Sequence, residues 1–143
     1  MQGDGEKITY GEGEEVKKDF VSFLTIKEGE LKGVVANKGV AKGKVKLFPP
    51  SYYSDFLILS RLFSEMEDGD ILVAETTSPE LMTACKKAGA ILTNQGGLLS
   101  HAAIVSRELN IPCIVGLGNV VQVLKDGDMV EVDANTGIVK VLK

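Results

Sequence analysis

Nitrogen and sulfur ligands are scarce in this chain, which holds one histidine, two cysteines and no tryptophan among 143 residues. Cys85 and Cys113 show no CxxC spacing and lack the His or Cys partners that would complete a tetrahedral zinc site, so no metal is assigned. Both thiols are expected to be reduced and buried, acting as small apolar residues. Basic clusters are missing as well, and a formal net charge of −4 is the wrong sign for a surface that tracks phosphates, which removes nucleic acid from the partners. No window approaches the ~20 apolar residues that span a bilayer. The opening MQGDGEKITYGEGEEVKKDF lacks the apolar centre of a secretory signal, so no membrane partner is expected and the location is read as cytoplasmic.

What is present is an ordinary globular composition, 44% hydrophobic and 25% charged, in a length that fits one main domain. Residues 1–30 are rich in Gly, Glu and Lys and are read as a flexible or peripheral linker. A short helix through Glu14 to Leu24 is possible there, with Val16, Phe20 and Phe23 or Leu24 on one face. The domain proper is assigned to residues 31–143. LKGVVANKGVAKGKVKLF alternates apolar residues with Gly and Lys, which predicts short strands turning at Asn37 to Gly39. PPSYYSDFLILSRLFSEMEDGD is too densely apolar to separate helix from loop.

The middle of the chain is easier to read. DILVAE is a buried-strand run, and Ser78-Pro79 after it predicts a helix start, with serine as cap, running to about Ala88. AILT is a second strand, Gly96-Gly97 a turn, Ser100 the N-cap of a helix ending near Asn110, and PCIVG a third strand. Strands alternating with helices of this length imply parallel pairing. A short helical stretch around Asn119 to Leu124 precedes DGDMVEVDANTGIVKVL, which reads as a closing antiparallel hairpin. The fold class is therefore α/β, a mixed sheet with a parallel βαβ core. Two DGD stretches, at Asp68 to Asp70 and Asp126 to Asp128, read as turns, since neither is followed by calcium-loop spacing.

Chemistry concentrates in GGLLSHAAIVSREL. A helix start leaves several N–H groups without intrahelical partners and carries partial positive charge, so it favours an anion, most often phosphate. Gly96 and Gly97 would let the chain turn sharply and admit a bulky phosphoryl donor. The same positive end favours a neutral imidazole at His101, whose lone pair can attack phosphorus, and it would stabilise the charge of a phosphorylated ring. Spacing alone leaves a helix-capping or structural histidine as the competing reading. Arg107 lies six residues on, roughly 240° around the helix and about 9 Å along it, so direct contact with His101 is not expected. A surface ion pair and a contact to phosphate or a docking domain both remain open for it.

The run GDILVAETTSPELMTACKKAGAILTNQGGLLSHAAIVSRELNIPCIVGLGN resembles the mobile phosphohistidine domain of PEP-utilising enzymes, the group of phosphoenolpyruvate synthase, pyruvate phosphate dikinase, enzyme I and rifampicin phosphotransferase. The likeness rests on Thr77-Ser78-Pro79 after the first strand and on Gly96-Gly97, Ser100-His101-Ala102-Ala103, Arg107, Ile111-Pro112 and Gly116. It implies a swivelling β/β/α domain in which His101 is phosphorylated, on Nε2, and carries the group between distant sites. Gly96, Gly97, Ser100, Ala102 and Arg107, with Thr77 and Asn94, are the candidates for phosphate contact or support. Leu99 stands where many relatives have a threonine targeted by a regulatory kinase, so that regulation is expected to be absent.

The resemblance also implies what lies elsewhere. No cofactor is assigned to this domain alone; ATP, PEP and Mg²⁺ would come through an ATP-grasp nucleotide domain or a PEP/pyruvate barrel, in the same longer chain or as separate subunits. The expected activity is that of a phosphotransferase component serving pyruvate/PEP interconversion or a related transfer. The alternative is a non-catalytic regulatory module that binds a phosphorylated metabolite at the helix end.

Overall fold

The structure, a computed structural model, describes residues 30–142. The linker assignment for residues 1–30 and the helix through Glu14 to Leu24 therefore lie outside the described residues, apart from Glu30. The described part opens with β1 (Glu30–Lys32), β2 (Val34–Asn37) and β3 (Val40–Phe48), followed by a 3-10 turn at Pro50–Tyr52 and α1 (Phe56–Glu65). Next come β4 (Ile71–Ala74), a 3-10 turn at Pro79–Leu81 running into α2 (Met82–Lys87), β5 (Ala90–Thr93), α3 (His101–Leu109) and β6 (Cys113–Val115). The chain closes with α4 (Val120–Val123), β7 (Met129–Asp133) and β8 (Ile138–Leu142).

The eight strands are ordered β1-β8-β7-β3-β4-β5-β6-β2. β3, β4, β5 and β6 pair in parallel, while β2 joins β6, and β7 joins both β3 and β8, antiparallel. The parallel core and the closing hairpin are those expected from the alternation of strand and helix patterns.

Two segments carry the sheet across a bend. Val40–Lys44 of β3 pair with β7, whereas Val45–Phe48 pair with β4. Likewise β1 and β2 are successive stretches hinged at Gly33, and they occupy opposite ends of the strand order. Gly33 fits there because a Cβ would come within 2.6 Å of the Val115 carbonyl oxygen. The sheet thus folds over on itself, giving an antiparallel layer, a parallel layer and a helical layer.

Alternation along the parallel strands builds a core on each side. Leu72, Ala74, Ile91, Cys113 and Val115 face the helices, where Leu59, Met66, Leu81, Ala84, Ala103 and Val105 cover them. Ile71, Val73, Ala90, Leu92 and Ile114 face the antiparallel layer and meet Val45, Val130, Val132 and Val139. Burial on both faces explains why these strands read as unbroken apolar runs.

The ambiguous stretch after β3 resolves into α1. Asp55 caps it, its Oδ1 accepting from Ile58 N at 3.2 Å, and Leu59, Leu62, Phe63 and Met66 form the core-facing stripe. The pattern was blurred by Phe56 and Leu57, which are apolar yet 77% and 79% exposed. Ser78 departs from expectation. It occupies a cap position, but the turn it opens is 3-10 and its hydroxyl donates to the Glu80 carboxylate, with no cap bond to a backbone N–H. Both DGD stretches are turns, with Gly69 at φ +93° and Gly127 at φ +89°. Asp70 and Asp128 close them by accepting from the backbone N–H groups of Glu67 and Lys125.

Cys85 and Cys113 are free and buried, and burial pushes both thiols up to about 11 from an ordinary value of 9. The unfolded chain therefore ionises at lower pH than the folded one, so this contribution is intact below pH 9 and is lost as pH rises through about 11. Urea midpoints should fall across that interval, and the fall should be shallower in a Cys85→Ala/Cys113→Ala double variant; equal slopes in both proteins would contradict the assignment.

Candidate functional site

The parallel pairing of β4 with β5 ends at Ala74 opposite Thr93. The ladder then runs on for two more bonds, Asn94 N to Ala74 O at 3.1 Å and Gln95 N to Glu75 O at 2.9 Å. These bonds draw together the loops leaving the carboxyl ends of both strands, the usual place for ligands in an α/β sheet. One loop supplies Thr77 and the other leads through Gly96-Gly97 into α3.

His101 is the first residue of α3 and is partly buried. Its Nδ1 lies 2.9 Å from Oγ1 of Thr77, a buried residue 24 positions earlier. The ring is thereby held through one nitrogen. Ser100 is the N-cap, as the sequence predicts: its Oγ accepts from Ala103 N at 3.4 Å and donates to Gly97 O at 2.8 Å.

The glycine turn is held mainly by its carbonyls. Thr93, fully buried, donates its hydroxyl to Gln95 O at 2.6 Å; Ser100 N also reaches Gly97 O, and Arg107 Nη2 donates to Leu98 O at 2.7 Å. By contrast, the N–H groups of Gly97, Leu98, Leu99, His101 and Ala102 have no acceptor among the described residues. A turn with its carbonyls bonded and its amides free is suited to an anion.

The two glycines are not equivalent. Gly96 has φ +111°, and a Cβ there would stand 3.0 Å from Ser100 Oγ, so both backbone and space require glycine. A Cβ on Gly97 would meet nothing within 4 Å, and its φ lies outside the left-handed region. Nothing among the described residues demands glycine at 97, which leaves the backbone there open to approach.

Arg107 makes no ion pair among the described residues, and its bonds are to backbone carbonyls: Nε donates to Ala36 O at 3.1 Å while Nη2 holds Leu98 O. The guanidinium ties the glycine turn to β2. Asn94 is likewise drawn away from His101. It is buried, its Oδ1 accepts from Val121 N at 3.0 Å and its Nδ2 donates to Gln122 Oε1 at 3.1 Å, joining the end of β5 to α4. Ala102 is buried behind the histidine, where a larger side chain would intrude on the helix-face core.

Sequence reasoning passed over three features. Glu80 is exposed near the imidazole; the Ser78 hydroxyl holds its carboxyl below the ordinary carboxylate value, with a smaller contribution from His101. Leu98, Leu99 and Ile104 form an apolar collar beside the histidine, 52%, 87% and 45% exposed. The adjacent leucines in a glycine turn were the available sign of this. Asn37, the third, donates to Ile111 O at 2.9 Å just beyond the end of α3.

Residues 66–137 match the sequence pattern of the PEP-utilising enzyme mobile domain. The chain belongs to that family. It is 43% identical over 109 residues to the probable phosphoenolpyruvate synthase of Methanothermobacter thermautotrophicus, covering 76% of this chain and 15% of the relative. Against the phosphoenolpyruvate synthase of Aeropyrum pernix the identity is 43% over 141 residues, 97% of this chain and 16% of that protein. This member of the family thus spans about one-sixth of the curated relatives it matches. Among solved structures, enzyme I (nEIt) superimposes with a TM-score of 0.61 at 20% identity, covering 78% of this chain and 92% of that one. Aconitase X of Thermococcus kodakaraensis gives 0.57 at 24% identity, covering 80% and 98%. These likenesses concern the fold, which evidently serves unrelated chemistries.

The contrast between the glycines can be measured. Gly96→Ala should cost about 1–3 kcal/mol in chemical denaturation, from a strained backbone and the approach to Ser100. Gly97→Ala should change stability by no more than about 1 kcal/mol in either direction. A larger loss at 97 than at 96 would mean that the turn is held differently.

Proposed function

We propose that this mobile domain is a phosphoryl carrier in which His101 Nε2 is the nucleophile. The observation that carries the reading is the 2.9 Å contact between Thr77 Oγ1 and His101 Nδ1. With the proton on Nδ1 and donated to Thr77, Nε2 keeps its lone pair. That lone pair attacks phosphorus, an N–P bond forms, and the donor P–O bond breaks with its electrons leaving on the donor oxygen. On delivery the N–P bond breaks towards the acceptor oxygen, and the ring, still protonated at Nδ1, departs as neutral imidazole.

The chain's own groups have distinct tasks in this scheme. Gly96 sets the turn, Gly97 leaves room for the phosphoryl group, and the amides of Gly97, Leu98, Leu99, His101 and Ala102, free among the described residues, offer donors to developing negative charge. Ser100 and Arg107 hold the turn rather than the phosphate, and Asn94 steadies its base. Swivelling brings the domain to an ATP-grasp domain or a PEP/pyruvate barrel, which bind nucleotide, PEP and Mg²⁺. The lengths of the phosphoenolpyruvate synthases, of which this chain matches 15% and 16%, leave room for such domains. The apolar collar excludes water once docked, which protects the phosphoryl group from hydrolysis.

Incubation with PEP or with ATP, each alongside a cognate partner domain, should place acid-labile, base-stable phosphate on the wild-type protein and none on His101→Ala. Equal labelling of the two proteins would falsify the proposal. For the collar, Leu99→Asp should leave stability within about 0.5 kcal/mol, because the side chain is exposed. It should nonetheless raise KM for the partner domain about tenfold or more, the scale on which a charge resists burial in an apolar contact. An unchanged KM would remove Leu99 from the docking face.

A further inference from the structure

Tyr53 lies well outside the glycine turn and its helix, and no step above uses it. It follows the 3-10 turn at Pro50–Tyr52, whose two prolines, Pro49 and Pro50, restrict the backbone at the end of β3. Its hydroxyl carries one proton and stands between two carbonyl oxygens, 2.8 Å from that of Thr76 and 3.0 Å from that of Phe48. Burial, and then the nearby Glu75 carboxylate, push the phenol well above its ordinary value, so the donor keeps its proton.

The Thr76 carbonyl belongs to the peptide whose nitrogen is that of Thr77. Fixing that oxygen fixes the plane of the peptide, and with it the direction in which Thr77 leaves the chain. On the preceding side, Glu75 O is already held by Gln95 N at 2.9 Å. Two successive peptides before Thr77 are therefore anchored, one to the His101 loop and one to the Tyr53 side chain ahead of α1. Thr76 is itself exposed, so without the phenol its carbonyl would turn to water and the Thr77 hydroxyl would lose its aim.

We infer that Tyr53 is a positioning residue for His101: it acts through the Thr76–Thr77 peptide to keep the Thr77 hydroxyl on Nδ1 and so selects the tautomer that leaves Nε2 free. The kinetic consequence rests on the carrier reading as a whole; the tautomer consequence rests only on its assignment of the Thr77 hydroxyl as acceptor from Nδ1–H. A merely structural tyrosine would contribute stability without touching the imidazole.

The chain holds a single histidine, so its ring nitrogens give one set of signals in long-range ¹H–¹⁵N spectra. At a pH high enough to keep the ring neutral, the full-length wild type should show the Nδ1–H form in excess. Tyr53→Phe, which keeps the ring and removes only the hydroxyl, should shift the tautomer ratio about fivefold towards Nε2–H, the worth of one ordinary hydrogen bond. Thr77→Val marks the limit with the contact gone. Phe63→Leu, which loosens packing around α1 without touching the phenol oxygen, should leave the ratio at the wild-type value.

An unchanged ratio in Tyr53→Phe would overturn the inference, as would an equal shift in Phe63→Leu. Where a cognate donor phosphorylates the wild type, Tyr53→Phe should also be loaded about fivefold more slowly at unchanged KM for that donor. A shifted ratio together with no phosphorylation of either protein would support the positioning role and count against the carrier reading, so the two stand or fall separately.

Discussion

The site depends on the parallel pairing of β4 with β5 and on its continuation past the strand ends. Ala74 and Thr93 are partners in register, and the next two amides, Asn94 and Gln95, donate back to Ala74 and Glu75. Parallel strands end together at one edge of a sheet, so the loops leaving them start side by side. Thr77 and His101 meet for that reason, although 24 residues separate them. A slip of β5 by one residue would turn Thr93 to the opposite layer and separate the loops.

Having two cores makes such a slip costly. The parallel strands are buried on both faces, with the helices on one side and the antiparallel layer on the other. The bends in the β3 segment and at Gly33 let one sheet supply both β layers. The functional loops therefore rise from a base closely packed in every direction except their own. Fixing that base is compatible with the proposed carrier role, in which the whole body would travel without deforming its reactive end.

Much of this was legible in the sequence, and the exceptions share a cause. The strands DILVAE and AILT, the turn at Gly96-Gly97, the Ser100 cap and the closing hairpin are local features, set by turn chemistry and by uninterrupted apolar runs. The position of His101 at the start of α3 followed from them. What could not be read were long-range polar contacts: Arg107 to Ala36 and Leu98, Asn94 to α4, Asn37 to Ile111 and Tyr53 to Thr76. Each includes a bond between a side chain and a backbone group, and backbone groups leave no mark in a residue pattern. The exposed Phe56 and Leu57 were hidden for the opposite reason, because exposure is invisible inside the apolar run FLIL.

That distinction bears on how a sole histidine would become reactive in the proposed carrier role. Placing it at a helix start requires only a glycine turn and a cap, an arrangement common enough to carry little chemical meaning. Holding one ring nitrogen and leaving the other free requires a second loop, and that loop needs its own supports. Here these are the Gln95–Glu75 ladder bond on one side of Thr77 and the Tyr53 hydroxyl on the peptide next to it. Arg107 and Thr93 perform the same service for the glycine turn, holding its carbonyls while several of its amides have no partner among the described residues. On the proposed carrier reading, reactivity at this position is a property of the packed sheet edge, with the histidine supplying the lone pair and the surrounding backbone bonds deciding where it points.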